Sequence, residues 1–507
     1  MTGAAAAVSP LLLLFLHFCI MKRFAKPLLI AAIAFSGIAA CSEPSDIVPD
    51  PVQAPVLLST VPADGAADLV GEGLTIKLTY DQDIKCGTAA AAQITIDNDA
   101  AVQKVSAYKA DLSITVTGLK AGQEYKLVVP DGIIEGFKAD QKKADGITLT
   151  FSMKEAAGQT HYELDPVKEL SNGNASQQAK NVYRFLLEQS GKRTITGVQS
   201  EGTANNNEHV NLIASKTGKH PALAGYDFIF LQYSPTPSGW SWVVNYSDMS
   251  APIEHWNAGG LVNYMWHWNV PGSKESWDKG VNDYDFNGYN FYSDKTSFSI
   301  TEALKEGTWQ NEFIKKDMAK VAGYLQNLRD AGVPVIWRPL HEAAGNYNLY
   351  GKKNNAWFWW GRGGAEPCRQ LYRLMRDTFE KEYGLNNLIW VWTLDATMGA
   401  EDEWADWYPG DEYVDIVGVD IYEDNTSAKQ RQYQACVDLA KGKKLVAVSE
   451  CGNIPDPTAC FEAGDRWSWF MVWSSGTDDY HYNTDNYWKK VMDNAKTITR
   501  EDMPSLK

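Results

Sequence analysis

Two rhythms of apolar and polar positions divide the chain. Between residues 53 and 153 the runs are short and alternate at every second position: LTIKLTY (74–80), ITIDN (94–98), LSITVTG (112–118), YKLVVP (125–130) and ITLTFSM (147–153). That period sends successive side chains to opposite faces of a strand. Asp131-Gly132 and Asp145-Gly146 supply turns between runs. A stretch of about a hundred residues patterned this way predicts a small all-β sandwich. From residue 176 the rhythm changes. Eight apolar runs read as strands: 194–200, 221–228, 260–268, 333–342, 387–395, 413–422, 444–452 and 467–475. Helical spacing falls between most of them, as at 312–331, 367–383 and 427–441. Strand and helix in alternation predict a parallel sheet with crossover helices, and eight such units predict an α/β (β/α)8 TIM barrel. The longest insertion, around 270–311, is expected to form loops over the C-terminal face of the sheet.

A third pattern precedes both. Met21-Lys22-Arg23 is basic, Pro27 to Phe35 is apolar, and Gly37-Ile38-Ala39-Ala40-Cys41 offers small residues for cleavage. This predicts a signal peptide. Its last residues resemble a bacterial lipobox, which implies lipidation at Cys41. Residues 1–20 have no place in such a leader, so Met21 is the expected start. SEPSDIVPDP (42–51) reads as a solvated tether. Its acidic residues resemble the surface-export signal of certain bacterial lipoproteins. The expected address is the outer membrane by a lipid anchor, at the cell surface, with the periplasmic face as the alternative. Beyond the leader no apolar run is long enough to span a bilayer. PVLLSTVPADGAADL (55–69) and GLKAGQEYKL (118–127) resemble a bacterial Ig-like module, read as a spacer. The expected domains are therefore 1–41 (upstream residues and signal peptide), 42–153 (tether and Ig-like sandwich) and 160–505 (catalytic barrel).

Composition sharpens this. All 19 tryptophans lie between Trp240 and Trp488. Indole faces cover the C–H faces of sugars, although large barrels also use tryptophan as core, which is expected of about half of them here. The net charge of −16 leaves little basic surface for phosphates, so no nucleic acid partner is expected. Outside the leader five cysteines remain, Cys86, Cys368, Cys436, Cys451 and Cys460, so at least one is unpaired. Cys451 and Cys460 could close a loop. No CxxC or Cys/His cluster points to zinc, and neither a metal nor a cofactor is expected.

Barrel active sites lie where strands end, so the chemistry is sought there. Glu342 ends the fourth run and Glu450 the seventh. His341, Asp420, Tyr422, His267 and Trp473 occupy other strand tips. Two carboxyl groups facing each other across a barrel mouth are what glycosidic cleavage needs, one to donate a proton and one to attack or activate water. The bland alternative for a single glutamate is pairing with Arg338, which shares its strand face. A glutamate pair accompanied by histidines, a tyrosine and tryptophans favours catalysis.

IWRPLHEAAG (336–345) followed by WFWWG (357–361) resembles the acid/base strand of glycoside hydrolase family 26. TSFSITEALKEG (296–307), ADWYPGDEYVDIVGVDIY (405–422) and VAVSECG (446–452) extend the likeness over about 176–496. The resemblance implies a retaining TIM-barrel hydrolase, foremost a β-1,4-mannanase, with Glu342 as acid/base and Glu450 as nucleophile. It implies that Tyr422 orients the nucleophile, His341 sets the surroundings of the acid/base, His267 contacts the −1 sugar, Trp473 floors it, and Asp420 binds or orients there. For His267 and Asp420 a satisfied core polar residue is the competing reading. The family's aromatic platform closely follows the acid/base, whereas NYNLYGKKNNA (346–356) intervenes here, so Tyr347 or Trp357 fills that role.

The resulting expectation is an endo-acting retaining β-mannanase acting on mannan or galactomannan, a monomer whose only membrane contact is the lipid anchor. The alternatives are the same barrel acting on xylan or mixed-linkage β-glucan, and a catalytically inactive surface glycan-binding protein.

Overall fold

The structure, a computed structural model, describes residues 53–69, 71, 73–137, 142–154, 161–200, 206–235, 243–281, 288–345, 356–395, 404–473 and 482–507. The signal region, Cys41, most of the tether and Tyr347 lie outside these residues. The chain divides into two compact units between Gln159 and Thr160.

In the first unit the period-two runs pair into two four-stranded sheets. One is ordered Leu57–Val61, Gly73–Tyr80, Asp111–Thr117, Ala101–Tyr108; the other Ala66–Leu69, Ile147–Met153, Glu124–Val129, Thr95–Ile96. Alternate residues of each sheet, Ile76, Leu78, Leu112, Ile114 and Val116 against Tyr125, Leu127, Leu149 and Phe151, share one core. The expected strand at 94–98 shrinks to Thr95–Ile96, because Asn98 and Asp99 take left-handed conformations that end it.

In the second unit all eight expected strands are present: β1 (Thr194–Gln199), β2 (Leu223–Asp227), β3 (Leu261–Met265), β4 (Val335–Arg338), β5 (Leu388–Asp395), β6 (Ile416–Ile421), β7 (Leu445–Cys451) and β8 (Trp469–Val472). Each pairs in parallel with the next, and β1 pairs with both β8 and β2, which closes the barrel. Thr497–Ile498 adds a short parallel strand beside β1. Every residue of the eight strands is buried, which explains why they read as continuous apolar runs rather than alternating ones. The predicted helices appear as α1 (Trp309–Asp330), α2 (Ala365–Asp377) and α3 (Gln430–Leu439). Thr308 caps α1 by accepting from the Asn311 N–H.

Three details depart from expectation. β4 stops at Arg338, not at Glu342. Pro339 has no N–H to extend the ladder, and Leu340 and Glu342 both adopt positive φ, near 50°. Cys451 and Cys460 are separate buried thiols, not a disulfide. Burial raises both, Cys460 to about 12, so neither carries the thiolate that exchange requires. Most tryptophans, among them Trp337, Trp390, Trp469 and Trp488, are core, a larger share than half. Among the described residues no helix is long and apolar enough to cross a membrane.

Candidate active site

The C-terminal ends of β4, β6 and β7 bring three carboxyl groups together. One oxygen each of Glu342, Asp420 and Glu450 lie within 4.8 Å of one another, and all three residues are buried. β6 and β7 are neighbours. An irregularity in their pairing after Val419 sets Asp420 directly against Glu450. Glu342 arrives on the sharp turn after β4. Its left-handed backbone aims the side chain into the mouth instead of along the strand face, and such a conformation persists only where its surroundings impose it.

Arg338, wholly buried, is the cation of this group. Its Nη1 donates to Asp420 Oδ2 at 2.8 Å and its Nη2 to Glu450 Oε2 at 2.6 Å. The pairing weighed from sequence takes the form of a direct ion pair with Glu450 across the barrel, with Glu342 also acting on the Arg338 charge. Burial works against the charge on Arg338. Asp420 and Glu450 outweigh it, and the guanidinium is held still more firmly protonated than usual. Tyr422 donates its phenolic proton to Glu450 Oε1, so both oxygens of Glu450 are engaged by donors. Asp420 also accepts from Ser449 Oγ at 2.8 Å. Burial pushes the Asp420 pKa well above the carboxylate range, with Glu450 and Glu342 adding to it and Arg338 opposing. Three carboxyl groups share one guanidinium. Full ionisation would leave two uncompensated charges in a dry site, so the cluster favours retaining a proton.

A second set of groups surrounds Glu342. His341, 1% exposed, places its Nε2 at 3.1 Å from His267 Nε2. His267 Nδ1 lies 2.5 Å from Asp227 Oδ2, and Asp227 Oδ1 accepts from the His267 backbone N–H at 2.9 Å. Both ring nitrogens of His267 are thus engaged within the protein. Trp473, partly buried at the end of β8, meets the His267 ring edge-on at 5.4 Å between centroids. Indoles brace the wall behind: Trp360 Nε1 donates to the His341 carbonyl, Trp359 Nε1 to the Trp268 carbonyl, and Trp268 Nε1 to Asp317.

Trp357 sits at the base of the intervening segment. Its N–H donates to the Gly345 carbonyl at 3.2 Å, and a β-carbon on Gly345 would come within 2.5 Å of its indole. Residues 345 and 357 are therefore neighbours in space despite their separation in sequence. Trp357 occupies the place directly beside the acid/base turn; Tyr347 is outside the described residues.

The described residues read from sequence for the site, Glu342, Glu450, His267, His341, Trp357, Asp420, Tyr422 and Trp473, lie around this one mouth. Sequence reading missed Asp227 and gave Arg338 no part in the site. Both stand at strand ends, Asp227 at the end of β2 and Arg338 at the end of β4, and that position was the available signal.

Comparison with known proteins places the fold in a family. The glycosyl hydrolase family 26 model matches residues 171–502, and the bacterial Ig-like domain model matches residues 51–164. The chain belongs to glycosyl hydrolase family 26. A mannan endo-1,4-beta-mannosidase of Thermothelomyces thermophilus is 33% identical over 365 residues, 71% of this chain and 67% of that protein. Mannan endo-1,4-beta-mannosidase B of Piromyces sp is 33% identical over 69% of this chain, but only 56% of its own length is spanned. Among solved structures, a β-mannanase from a symbiotic protist of the termite Reticulitermes speratus, complexed with a gluco-manno-oligosaccharide, is 34% identical. It covers 68% of this chain and 99% of its own, with a TM-score of 0.56. The family 26 domain of a Prevotella bryantii endo-beta-mannanase/endo-beta-glucanase is 34% identical, covers 66% and 99%, and has a TM-score of 0.58. In this family 26 chain Glu342 and Glu450 lie together at the mouth of the expected barrel.

Proposed function

We propose that this family 26 chain is a retaining endo-β-1,4-mannanase with Glu342 as acid/base and Glu450 as nucleophile. One observation carries the mechanism: a carboxyl oxygen of Glu342 and one of Glu450 lie within 4.8 Å of each other. Retaining glycosidases hold the pair about 5–5.5 Å apart, and inverting ones about 6.5–9.5 Å to admit a water between them. In the first step Glu450 attacks the anomeric carbon while Glu342 gives its proton to the departing glycosidic oxygen. Arg338 supplies positive charge beside the group that attacks as an anion, and Tyr422 fixes its direction. In the second step Glu342, now deprotonated, takes a proton from water as that water displaces Glu450 from the sugar. Asp420 acts through Arg338 and Ser449, Trp473 floors the −1 sugar, and Trp357 forms the platform for the leaving group.

The substrate reading rests on the relatives, which are named for mannan endo-hydrolysis. A second reading, tolerance of glucose in the backbone, is favoured by the gluco-manno-oligosaccharide in the protist complex and by the dual mannanase/glucanase naming of the Prevotella protein. The enzyme is further proposed to act as a monomer, tethered to the outer membrane at the cell surface through lipidated Cys41.

Reducing-end release measured side by side on mannan, glucomannan, xylan and lichenan tests this. Release is expected from the first two, and no release from mannan overturns the substrate reading. Glu342→Ala and Glu450→Ala should each cost at least about 100-fold in turnover while largely sparing glycan affinity. Unchanged turnover in either overturns the roles.

A further inference from the structure

We propose that Asp227 is a positioning residue for the acid/base. Through His267 it fixes which nitrogen of His341 carries a proton, and so holds the residue on which Glu342 is mounted. This rests on Glu342 serving as the acid/base.

The ends of three neighbouring strands build the chain of contacts. Asp227 ends β2, His267 lies two residues beyond β3, and His341 lies three beyond β4. Asp227 grips His267 twice, accepting from its backbone N–H at 2.9 Å and lying 2.5 Å from its Nδ1. A carboxylate can only accept, so Nδ1 of His267 must carry a proton. Across the next gap two Nε2 atoms face each other at 3.1 Å. Such a contact is a hydrogen bond only if one of the two nitrogens is protonated and the other bare. In the proposed arrangement His267 holds its single proton on Nδ1 and presents a bare Nε2, and His341 is the donor. The proton arrangement of the whole pair is therefore set by an acid at its far end.

His341 is held at two points, by its ring through this chain and by its carbonyl, which accepts from Trp360 Nε1 at 2.9 Å. Glu342 follows immediately in a left-handed conformation. Residue 341 must therefore be fixed if the acid is to stay on target, since small misplacements of a catalytic group are costly. Glu450 has separate supports in Arg338 and Tyr422. Loss of Asp227 should disturb proton donation and leave the nucleophile's anchors in place.

Nitrogen NMR of protein labelled in its histidines tests the idea, with signals assigned by His267→Gln and His341→Gln. In the wild type His267 should be protonated on Nδ1 and bare on Nε2, and His341 protonated on Nε2. Asp227→Asn retains an acceptor for the His267 backbone but turns an amide donor towards Nδ1. The tautomers of both rings should then reverse. Turnover should fall about 10- to 100-fold, the range for loss of an outer-shell partner of a histidine, with KM changed less than about threefold. Asp227→Glu, which keeps the anion, should retain the wild-type tautomers and exceed the Asn variant in kcat. A wild-type spectrum with His267 protonated on Nε2 overturns the proposal, as does an Asn variant with unaltered kcat. The wild-type spectrum decides even if a variant fails to fold. It needs no substrate, so its outcome is separate from the hydrolase reading, which absence of turnover on every glycan would sink.

Discussion

At the scale of single residues, the barrel withdraws ionisable groups from solvent and lets neighbours set their charge. Asp317 on α1 shows this away from the chemistry. It is half-buried and accepts from Trp268 Nε1 at 2.9 Å. Burial raises its pKa to about 7, against the opposing effects of Trp268 and Lys320. A carboxyl group with a folded-state pKa above its unfolded value stabilises the fold fully only below that unfolded value, near 3.8. That contribution is lost as pH rises through about 7. The protein is therefore expected to lose stability between pH ~4 and ~7 on this account, by on the order of 4 kcal/mol as an upper bound that solvent screening lowers. Asp317→Asn keeps an acceptor for the indole and removes the titration. Urea melts across that range should show a shallower pH slope in the variant; an identical slope would exclude Asp317 as the source.

At the scale of elements, the turn after β4 is the critical piece. Gly345 closes it, donating its N–H to the Glu342 carbonyl at 2.9 Å and backing directly onto the Trp357 ring. Gly345→Ala would drive a methyl group into that indole. Displacement of the platform should raise KM for mannan about tenfold or more, an effect of about 1.4 kcal/mol, with a smaller change in kcat. An unchanged KM would remove Trp357 from the platform role. Much of this architecture was legible in the sequence. All eight barrel strands were, because a strand buried on both faces reads as an unbroken apolar run. The meeting of Glu342 and Glu450 at the barrel mouth was, because their motifs mark two strand ends. What was hidden had physical reasons. The strand Ala101–Tyr108 has no fully buried residue, so its alternation is weak. The stop of β4 at Arg338 depends on two left-handed residues, Leu340 and Glu342, that no propensity marks. Asp227 is a lone acid in PALAGYDF until the fold sets it against His267. Arg338 looked like a partner for Glu342, its near neighbour in sequence, but its hydrogen bonds run to Asp420 and Glu450, acids more than eighty residues away.

At the scale of the whole molecule, the site lies within one of the two units. Every group assigned to the site, from Asp227 to Trp473, belongs to the unit beginning at Thr160, and that unit has its own closed barrel and its own core. The chain from Thr160 onward, expressed alone, is expected to hydrolyse short soluble manno-oligosaccharides with kcat/KM within about twofold of the full chain, since ~1.4 kcal/mol would be needed for a tenfold change. A larger loss would mean that the Ig-like unit contributes to turnover. The hydrogen bond between Gly345 and Trp357 bears on how such a protein can diversify. Gly345 and Trp357 are joined directly through their backbones, so the turn that carries Glu342 and the neighbouring indole are fastened to one another. Descendants could vary the number of residues between these two positions while the clasp that joins them is inherited intact.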